Sequence, residues 1–495
     1  MERAAANFEG NRSGAAIAMV LCLSLAVAAS ARADSASSPG EARAPLSHRP
    51  ARLPDPVLYW NDVALGVVVD DHSGTFGPPE HAGPGHTALM LAIVHVAIHD
   101  AVTAITGTSV PYMAFFPVGE MQEGSVHAAV GAAAYETLSA LYPAQREALK
   151  EKRDRYFRRL PRNSATSLGN AVGAMAGRAM MIERREDGSQ VEPEYIAGEE
   201  PGLHREDPLN PGQSYLNPAW GSVVPFVIPS GSHFRSPPPP ALDSPEYAEA
   251  FDEVRRLGGD GVQTPTERTP EQTEIALFWA YDGSVGIGTP PRLYNQIARV
   301  IAEQQGNTIA ENARLFALLN VAMADASVAC WESKYVYNYW RPIIGIREAD
   351  PGTGPTGRGD GNPATVGDPQ WRYLGSPRSN EPGRGSFTPN FPSYPSGHAT
   401  FGGAAFRILA LFYGTDEIAF TFTSDELNGV TLGDDGNPRP LSPRSFSRLS
   451  EAAIENADSR VYLGVHWRFD STAGLEMGEA IADYVYENAF RPVNE

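Results

Sequence analysis

Apolar and small side chains recur every three or four residues along several long stretches of this chain. The clearest stretches are residues 87–105, 125–142, 167–186 and 312–335. In the last of them, Leu315, Leu318 and Ala322 fall on one stripe. This spacing matches the turn of an α-helix, whereas the alternation expected of half-buried strands is scarce. The pattern therefore predicts an all-α fold.

Glycine- and proline-rich stretches interrupt the helical pattern and indicate how the chain is divided. One covers residues 187–265 and contains the run SPPPPALDSP, and another covers roughly 350–390. We therefore predict two helical-bundle blocks, an N-terminal one at 55–186 and a C-terminal one at 266–495, joined by long irregular loops. The last helices predicted in the second block cover residues 398–413, 443–460 and 471–489.

The N-terminus has the composition of a secretory signal peptide. Two arginines precede an apolar run from Ala15 to Ala29, and Ala31–Ala33 offers small residues for cleavage. No later stretch approaches the roughly 18 apolar residues of a transmembrane helix. We therefore predict a signal peptide at 1–33, a disordered leader at 34–54, and a secreted or periplasmic protein without membrane insertion.

The charge of the chain argues against two classes of partner. A formal net charge of −20 at pH 7 repels nucleic acid and anionic membrane surfaces. Any site for an anion must therefore be built locally, against the field of the whole protein.

Three isolated residues are interpreted as parts of the core. Cys330 is the one cysteine outside the predicted signal peptide, so it cannot form an intrachain disulfide, and its small apolar neighbours indicate a buried thiol. His95 and His99 could bind a metal at their four-residue spacing. Their apolar setting favours core histidines instead.

The first cluster with chemical potential is KYVYNYWRP, which places Lys334 and Arg341 seven residues apart. On one continuous helix this spacing puts both side chains on nearly the same face, about 10 Å apart along the axis. Pro342 favours a helix end directly after them. Taken alone, a lysine and an arginine on a helix are more often a solvated face.

The second cluster is PSGH, residues 395–398, directly before a predicted helix. The first N–H groups of a helix have no partner inside it, and the helix dipole is positive there, which favours an anion. The Ser396 hydroxyl and the Gly397 amide could donate to that anion, and His398 could exchange a proton near neutral pH. The alternative is an N-capping serine followed by a surface histidine.

The third cluster is SRVYLGVHWRFD, which contains Arg460, His466 and Asp470. His466 lies on a short connection between two predicted helices, and Asp470 is close enough in sequence to orient its imidazole. The alternative is a helix–turn–helix corner with incidental charges. Together, the three clusters supply three cations, neutral donors and two imidazoles, which suit a tetrahedral, multiply negative oxyanion.

These clusters resemble the pattern K-x6-R-P, P-S-G-H and S-R-x5-H-x3-D of the vanadium-dependent haloperoxidases. Type 2 phosphatidic acid phosphatases and class A bacterial acid phosphatases share that superfamily. The segments LYWNDVAL, YWRPIIGIR and FPSYPSGHATFGG are similar to the vanadium chloroperoxidase branch in particular. The likeness runs from about residue 57 and implies a vanadium chloroperoxidase-like fold.

The resemblance implies a vanadate cofactor held by the three clusters. His466 would be the axial ligand of the vanadium. The residues that would hold the vanadate oxygens are Lys334, Arg341, Ser396, Gly397 and Arg460.

The resemblance also implies catalytic roles for His398, Lys334 and Asp282. His398 would act as acid and base, and Asp282, in WAYDG, would orient it. Phe391 and Trp331 would line the side of the pocket that receives the halide.

The implied function is a secreted haloperoxidase that uses hydrogen peroxide to oxidise chloride or bromide to hypohalous acid. Peroxide and halide would be its partners, with a small organic acceptor as a further candidate. Two alternatives use the same residues. One is an acid phosphatase that hydrolyses phosphomonoesters through a phosphohistidine, and the other is a non-catalytic oxyanion-binding protein.

Overall fold

The computed structural model describes residues 53–114 and 116–493. The described residues of Pro54–Tyr112 and Pro117–Glu495 form one compact unit, and every feature discussed below lies within it. The predicted signal peptide at 1–33 and almost all of the predicted leader at 34–54 lie outside the described residues.

Helices provide nearly all the regular structure of this unit. In chain order they are α1 Pro56–His72, α2 Pro84–Thr106, α3 Val126–Leu141, α4 Arg146–Phe157, α5 Ser164–Glu183, α6 Pro245–Leu257, α7 Pro270–Phe278, α8 Pro290–Gln305, α9 Ile309–Tyr337, α10 Pro342–Arg347, α11 Gly397–Tyr413, α12 Leu449–Tyr462 and α13 Arg468–Asn488. Short 3-10 turns lie at Pro143–Gln145, Trp220–Ser222, Gly231–Phe234 and Asp425–Leu427. The predicted helical fold class is confirmed.

Two segments differ from the sequence-based expectation. The helix predicted at 443–460 begins only at Leu449, because Arg444–Phe446 forms a strand, β2, that pairs antiparallel with β1 at Phe420–Phe422. The connection predicted as irregular at 187–265 contains α6. That helix has its own start signal, since the Ser244 hydroxyl accepts the N–H of Tyr247 at 3.2 Å.

The helix α9 lies at the centre of the unit. It packs against α2 from the N-terminal part of the chain and against α11 and α13 from the C-terminal part. Its start is fixed by a capping box, in which the Thr308 hydroxyl accepts from Glu311 and the Glu311 carboxylate accepts from Thr308. The two predicted blocks thus share one core through α9.

Two described helices, α2 and α9, are long and apolar enough to cross a membrane by length and composition. Their apolar windows are 100% and 94% buried inside the protein, respectively, so this apolarity serves the core. The expectation that no segment after the signal peptide reaches such a length is wrong for these two helices. The absence of membrane insertion stays a prediction.

Glycines allow α13 to pack closely on α11. A Cβ on Gly474 would lie 2.5 Å from the carbonyl oxygen of Ser396, and one on Gly478 would lie 2.2 Å from that of Thr400. Real side chains do not approach a carbonyl this closely, so only glycine fits at both positions. This contact sets the distance between the start of α11 and the start of α13, which are the second and third sequence clusters.

A ladder of buried polar side chains joins α1, α2, α8 and α9. The Asn61 side-chain amide donates to His95 Nε2 and to the Asn295 side chain, both at 2.9 Å, and Asn295 exchanges hydrogen bonds with Asn320 at 2.8 and 3.0 Å. Burial lowers the pKa of His95 to about 3, so the ring is neutral. The interpretation of His95 and His99 as core residues is confirmed by their burial.

We expect Gly478→Ala to destabilise the protein by about 1–3 kcal/mol, because overpacking at a rigid backbone contact forces α13 away from α11. Thermal or urea unfolding measures this effect. The matched control is Gly66→Ala in α1, where a Cβ meets no atom closer than 4.0 Å. That control should gain about 0.5–1 kcal/mol from helix propensity. Equal stability of the two variants would contradict the packing argument.

We expect the free energy of unfolding to fall as the pH is lowered from about 6.5 toward 3, partly because of His95. In this range the unfolded histidine binds a proton that the buried one refuses, since its folded pKa is about 3. The contribution is about 1.4 kcal/mol per pH unit. His95→Gln should make the pH dependence of urea unfolding shallower, whereas His233→Gln, at an exposed site, should not.

Candidate active site

The second and third sequence clusters line one cavity of about 210 Å³, and the first cluster contacts both of them. Direct contacts join them. The amide of Ser396 donates to the Asp470 carbonyl at 2.8 Å, and Arg341 Nη1 donates to the Val465 carbonyl at 2.8 Å and to His466 Nε2 at 3.0 Å. The predicted site residues that line the cavity are Asp282, Trp331, Phe391, Gly397, His398, Arg460 and His466. Lys334, Arg341 and Ser396 are fully buried.

Lys334 and Arg341 converge, but not from one helix face as the spacing predicts. The helix α9 ends at Tyr337, and Asn338 adopts the left-handed conformation with φ 51°. Arg341 then lies in extended backbone as the residue that precedes α10. The turn at Asn338 redirects the chain, and both cations reach the ring of Phe391, at 5.1 Å for Lys334 Nζ and 4.9 Å for Arg341 Cζ.

The Lys334 ammonium group holds the turn before α11. Its Nζ donates to the carbonyl oxygens of Pro392 and Ser393 at 2.9 Å each, and to that of Pro395 at 2.5 Å. Burial lowers the pKa of Lys334. Backbone carbonyls accept hydrogen bonds from all three ammonium hydrogens. Lys334 therefore attracts an anion through its charge rather than through a hydrogen bond.

The two arginines each keep one buried nitrogen without a hydrogen-bond partner among the described residues. Arg341 uses Nε for the Phe391 carbonyl at 3.0 Å and Nη1 for the contacts given above, which leaves Nη2. Arg460 places both terminal nitrogens on Asp282, at 2.9 and 3.0 Å, which leaves Nε. Burying an unpaired guanidinium N–H costs free energy, so we expect these nitrogens to donate to a bound acceptor.

The start of α11 supplies further donors. Ser396 caps the helix, and its hydroxyl oxygen accepts weakly from the Ala399 amide at 3.4 Å. The Gly397 amide has no hydrogen-bond partner among the described residues. A Cβ on Gly397 would stand 3.3 Å from the Trp331 ring, so glycine leaves the amide open to the cavity.

His466 presents an unprotonated nitrogen to this group of donors. Its Nδ1–H donates to Asp470 Oδ2 at 2.8 Å, and the same oxygen accepts the Trp467 amide at 3.0 Å and the Ser393 hydroxyl. Because Nδ1 carries the hydrogen, Nε2 keeps its lone pair, which accepts a hydrogen bond from Arg341. Burial and the nearby cations Arg341 and Lys334 hold the pKa of His466 well below its usual range. A neutral imidazole in this tautomer is suited to bind a metal.

His398 is oriented by a carbonyl group rather than by the carboxylate that the resemblance implies. Its Nε2–H donates to the Ala280 carbonyl at 2.5 Å, whereas Asp282 Oδ1 is 3.8 Å away and pairs with Arg460. Both Asp282 carboxylate oxygens accept hydrogen bonds from the planar Arg460 guanidinium, and the carboxylate is therefore held away from the His398 imidazole. This leaves His398 Nδ1 to the cavity. Burial lowers the pKa of His398 to about 3.

Trp331 and Phe391 form one wall of the cavity. Their ring centroids are 4.9 Å apart, and the indole N–H of Trp331 is buried without a hydrogen-bond partner among the described residues. An N–H donor beside two aromatic rings and two cations suits a small anion.

The site also contains residues that sequence reasoning did not assign to it. Ser393 supports Asp470, and Asn338 makes the turn that brings in Arg341. Ser393 lies within the YPSGH neighbourhood and could have been suspected, whereas Asn338 gives no signal beyond the known preference of asparagine for left-handed backbone. His72 at the end of α1 and Thr289 before α8 line the cavity without any sequence motif.

The donor set fits vanadate or another tetrahedral oxyanion. The two free guanidinium N–H groups, the Gly397 amide and the Ser396 hydroxyl can donate to its oxygens, and His466 Nε2 can bind its central atom. Within the described residues no group of three or more His, Cys, Asp or Glu side chains could hold a metal cation directly. The cationic and N–H donor groups therefore favour an oxyanion at this site.

Comparisons with known proteins give vanadium-dependent haloperoxidases as relatives. The family model described as "VCPO second helical-bundle domain" matches residues 314–495. The chain is 33% identical to the vanadium chloroperoxidase of Curvularia inaequalis over 85% of this chain and 80% of that protein. A shorter match, also at 33% identity, joins 19% of this chain to 17% of a vanadium-dependent bromoperoxidase of Ascophyllum nodosum.

Solved structures share the fold. The first bacterial vanadium-dependent iodoperoxidase is similar with a TM-score of 0.68 and 23% identity, over 88% of this chain and 97% of that chain. A holo-type bacterial vanadium-dependent chloroperoxidase is similar with a TM-score of 0.60 and 16% identity, over 84% of this chain and 94% of that chain.

We expect Asp470→Asn to weaken vanadate binding by roughly 10- to 100-fold, because an amide can donate to His466 Nδ1 and move the ring hydrogen to Nε2. Calorimetric titration of vanadate into vanadate-free protein measures the change. The matched control is Asp483→Asn, which alters a half-exposed carboxylate paired with Arg407. Unchanged affinity in a folded Asp470→Asn protein would show that Asp470 does not set the tautomer.

Proposed function

The chain belongs to the vanadium-dependent haloperoxidases, and on this premise we propose that it is exported and uses hydrogen peroxide to oxidise chloride or bromide to hypohalous acid. One observation carries the proposal. Arg341 and Arg460 each keep a buried guanidinium nitrogen without a partner among the described residues; Arg460 lines the same cavity as the neutral His466, and Arg341 contacts His466 Nε2. The signal-like composition of residues 1–33 supports export.

In this proposal His466 Nε2 would bind the vanadium, and Arg341, Arg460 and the start of α11 would hold the oxygens. When bound, vanadate supplies a Lewis acid that polarises a peroxide oxygen for attack by the halide. The guanidinium groups withdraw electron density from the oxygens through charge-assisted hydrogen bonds. Lys334 adds positive charge and fixes the backbone on which Ser396 and Gly397 lie.

In this proposal His398 accepts and returns the proton of hydrogen peroxide. Its Nε2–H is fixed on the Ala280 carbonyl, so the lone pair on Nδ1 is available to accept a proton from hydrogen peroxide. Because burial lowers the pKa of His398 to about 3, the ring stays in its basic form in neutral and mildly acidic solution. The proton it takes can then return to the oxygen that leaves as water or hypohalous acid.

The halide is held beside Trp331 and Phe391. A halide anion is attracted by the positive charges of Lys334 and Arg341, and the free indole N–H of Trp331 can donate to it. Aromatic faces on the other side limit the number of waters that accompany the ion. This environment supports chloride or bromide, which are both small enough for the space and oxidisable by activated peroxide.

An acid phosphatase is the second candidate, because the same neutral His466 Nε2 could attack a phosphate ester and form a phosphohistidine. A non-catalytic oxyanion-binding protein is the third. Both predict tight vanadate binding without halogenation. The assay below separates the three.

We expect vanadate-loaded protein to brominate or chlorinate a dimedone-type acceptor in the presence of peroxide. His398→Ala should lower this turnover by about 10²- to 10⁴-fold, because a positioned base is lost. His233→Ala, at an exposed position, is the control and should keep the wild-type rate.

Protein that binds vanadate but gives no halogenated product with chloride, bromide or iodide would reject the haloperoxidase proposal. Rapid phosphate release from a chromogenic monoester, with vanadate acting only as an inhibitor, would support the phosphatase instead.

A further inference from the structure

The irregular connection that precedes α6 lies with one segment against the turn that follows α9. The His204 amide donates to the Asn338 carbonyl at 2.8 Å, and the Trp340 amide donates to the Gly202 carbonyl at 2.9 Å. These two bonds run in opposite directions, as between neighbouring antiparallel strands. They fasten the connection to the short stretch of chain that leads from Asn338 to Arg341.

Tyr195 adds a side-chain bond to the same turn. Its hydroxyl group lies 2.5 Å from Asn338 Oδ1 and 3.1 Å from the His204 carbonyl oxygen. Burial raises the pKa of Tyr195 to about 12, so the phenol keeps its hydrogen at neutral pH and donates it. If the Asn338 amide were turned over, its nitrogen would donate to the phenol oxygen and the phenol would donate to His204. Tyr195 and Asn338 are therefore bonded in either orientation of the amide.

Asn338 occupies the point at which the chain leaves the helix. Its amide donates to the Lys334 carbonyl at 2.8 Å, and its backbone is left-handed, with φ 51° and ψ 38°. This conformation is unfavourable for a residue with a Cβ, and asparagine tolerates it best when its side chain finds a hydrogen-bond partner. Tyr195 is that partner, so its hydroxyl group favours the shape of the turn between the cations Lys334 and Arg341.

The stretch after Asn338 is bonded in turn to the oxyanion site. The Ser393 amide donates to the Tyr339 carbonyl at 2.8 Å, and the Ser393 hydroxyl donates to Asp470, which orients His466. Arg341 follows in extended backbone before α10, so no helix fixes its main chain. The position of its guanidinium group therefore depends on the turn.

We propose that Tyr195 is a positioning residue of the oxyanion site, which acts through Asn338 to set the place of Arg341. Tyr195 does not line the cavity, so it acts on a bound anion only through other residues. By fixing the turn, it holds the Arg341 guanidinium group where the unpaired nitrogen can donate to an oxyanion. This inference rests on the proposed function, since vanadate is taken as the anion that the site binds.

Two single variants and their double variant test the proposal, each titrated with vanadate in a calorimeter. Tyr195→Phe removes the hydroxyl and keeps the ring, whereas Asn338→Gly removes its partner and still allows a left-handed backbone. We expect Tyr195→Phe to weaken vanadate binding by roughly 3- to 10-fold, as the loss of one net hydrogen bond does. In the Asn338→Gly background the same change should alter the affinity by less than about 2-fold, because the partner is already absent.

Tyr337→Phe is the matched control. The Tyr337 hydroxyl also donates to a carbonyl of the connection, that of Ser236 at 2.6 Å, and both tyrosines are half-buried. We expect Tyr195→Phe and Tyr337→Phe to lose similar amounts of stability in urea unfolding, whereas only Tyr195→Phe should weaken vanadate binding. A residue with a merely structural role would lower the stability without this selective loss of affinity.

Unchanged vanadate affinity in Tyr195→Phe would overturn the proposal, and so would an equal loss in the Asn338→Gly background or in Tyr337→Phe. If Tyr195→Phe does not fold, Asn338→Gly decides alone, since it should weaken binding by a similar factor and unchanged affinity would reject the proposal.

These titrations need no turnover, so they separate this inference from the proposed function. Protein that binds vanadate with the expected pattern but halogenates nothing would reject the proposed function and still support the role of Tyr195. Wild-type protein that does not bind vanadate would overturn both.

Discussion

The structure depends on placing three buried cations, Lys334, Arg341 and Arg460, at one point of a protein whose net charge is −20. Removing such groups from water costs several kcal/mol each unless hydrogen bonds and opposite charges replace the solvent. Here the compensation is partial. Three backbone carbonyls surround Lys334, and Asp282 binds Arg460. Two guanidinium nitrogens still lack acceptors among the described residues, and an oxyanion bound there would supply them.

The fold meets this constraint by making the same residues structural and functional. Lys334 belongs to the rigid central helix α9, and its ammonium group fixes the turn that begins α11. The glycine contacts Gly474 and Gly478 hold α13 against α11, which places Asp470 where it can accept from both Ser393 and His466. Preorganisation of this kind means that little rearrangement is needed when the anion binds.

Sequence reasoning predicted the helical fold, and it singled out the three motifs that the structure brings into contact, because both signals are local in sequence. Helix periodicity and the three short motifs each lie within a few neighbouring residues. Sequence reasoning failed where contacts between residues distant in sequence determine the geometry. The spacing of Lys334 and Arg341 suggested one helix face, but the chain leaves the helix at Asn338. Asp282 lies near His398, but the Asp282 carboxylate pairs with the Arg460 guanidinium instead.

The buried polar atoms that remain unpaired could not be predicted from sequence for a related reason. His, Gln, Thr and Asn are common at surfaces, and nothing in their spacing shows which of their atoms remain unpaired. Gln213 is an acceptor only because the Thr388 carbonyl occupies its nitrogen, and His72 only because Val68 fixes its tautomer. The hydrogen-bonding character of these two side chains is thus a product of tertiary contacts.

The contrast between the acidic surface and the cationic interior also explains how an anion can reach this site. Charges on the surface are screened by salt over about 8 Å at physiological ionic strength, whereas charges in a buried cavity are screened far less. An approaching halide therefore responds weakly to the overall charge and strongly to Lys334, Arg341 and Arg460 once it is inside. Affinity for anions is a property of these few residues, and the remaining surface is free to be acidic.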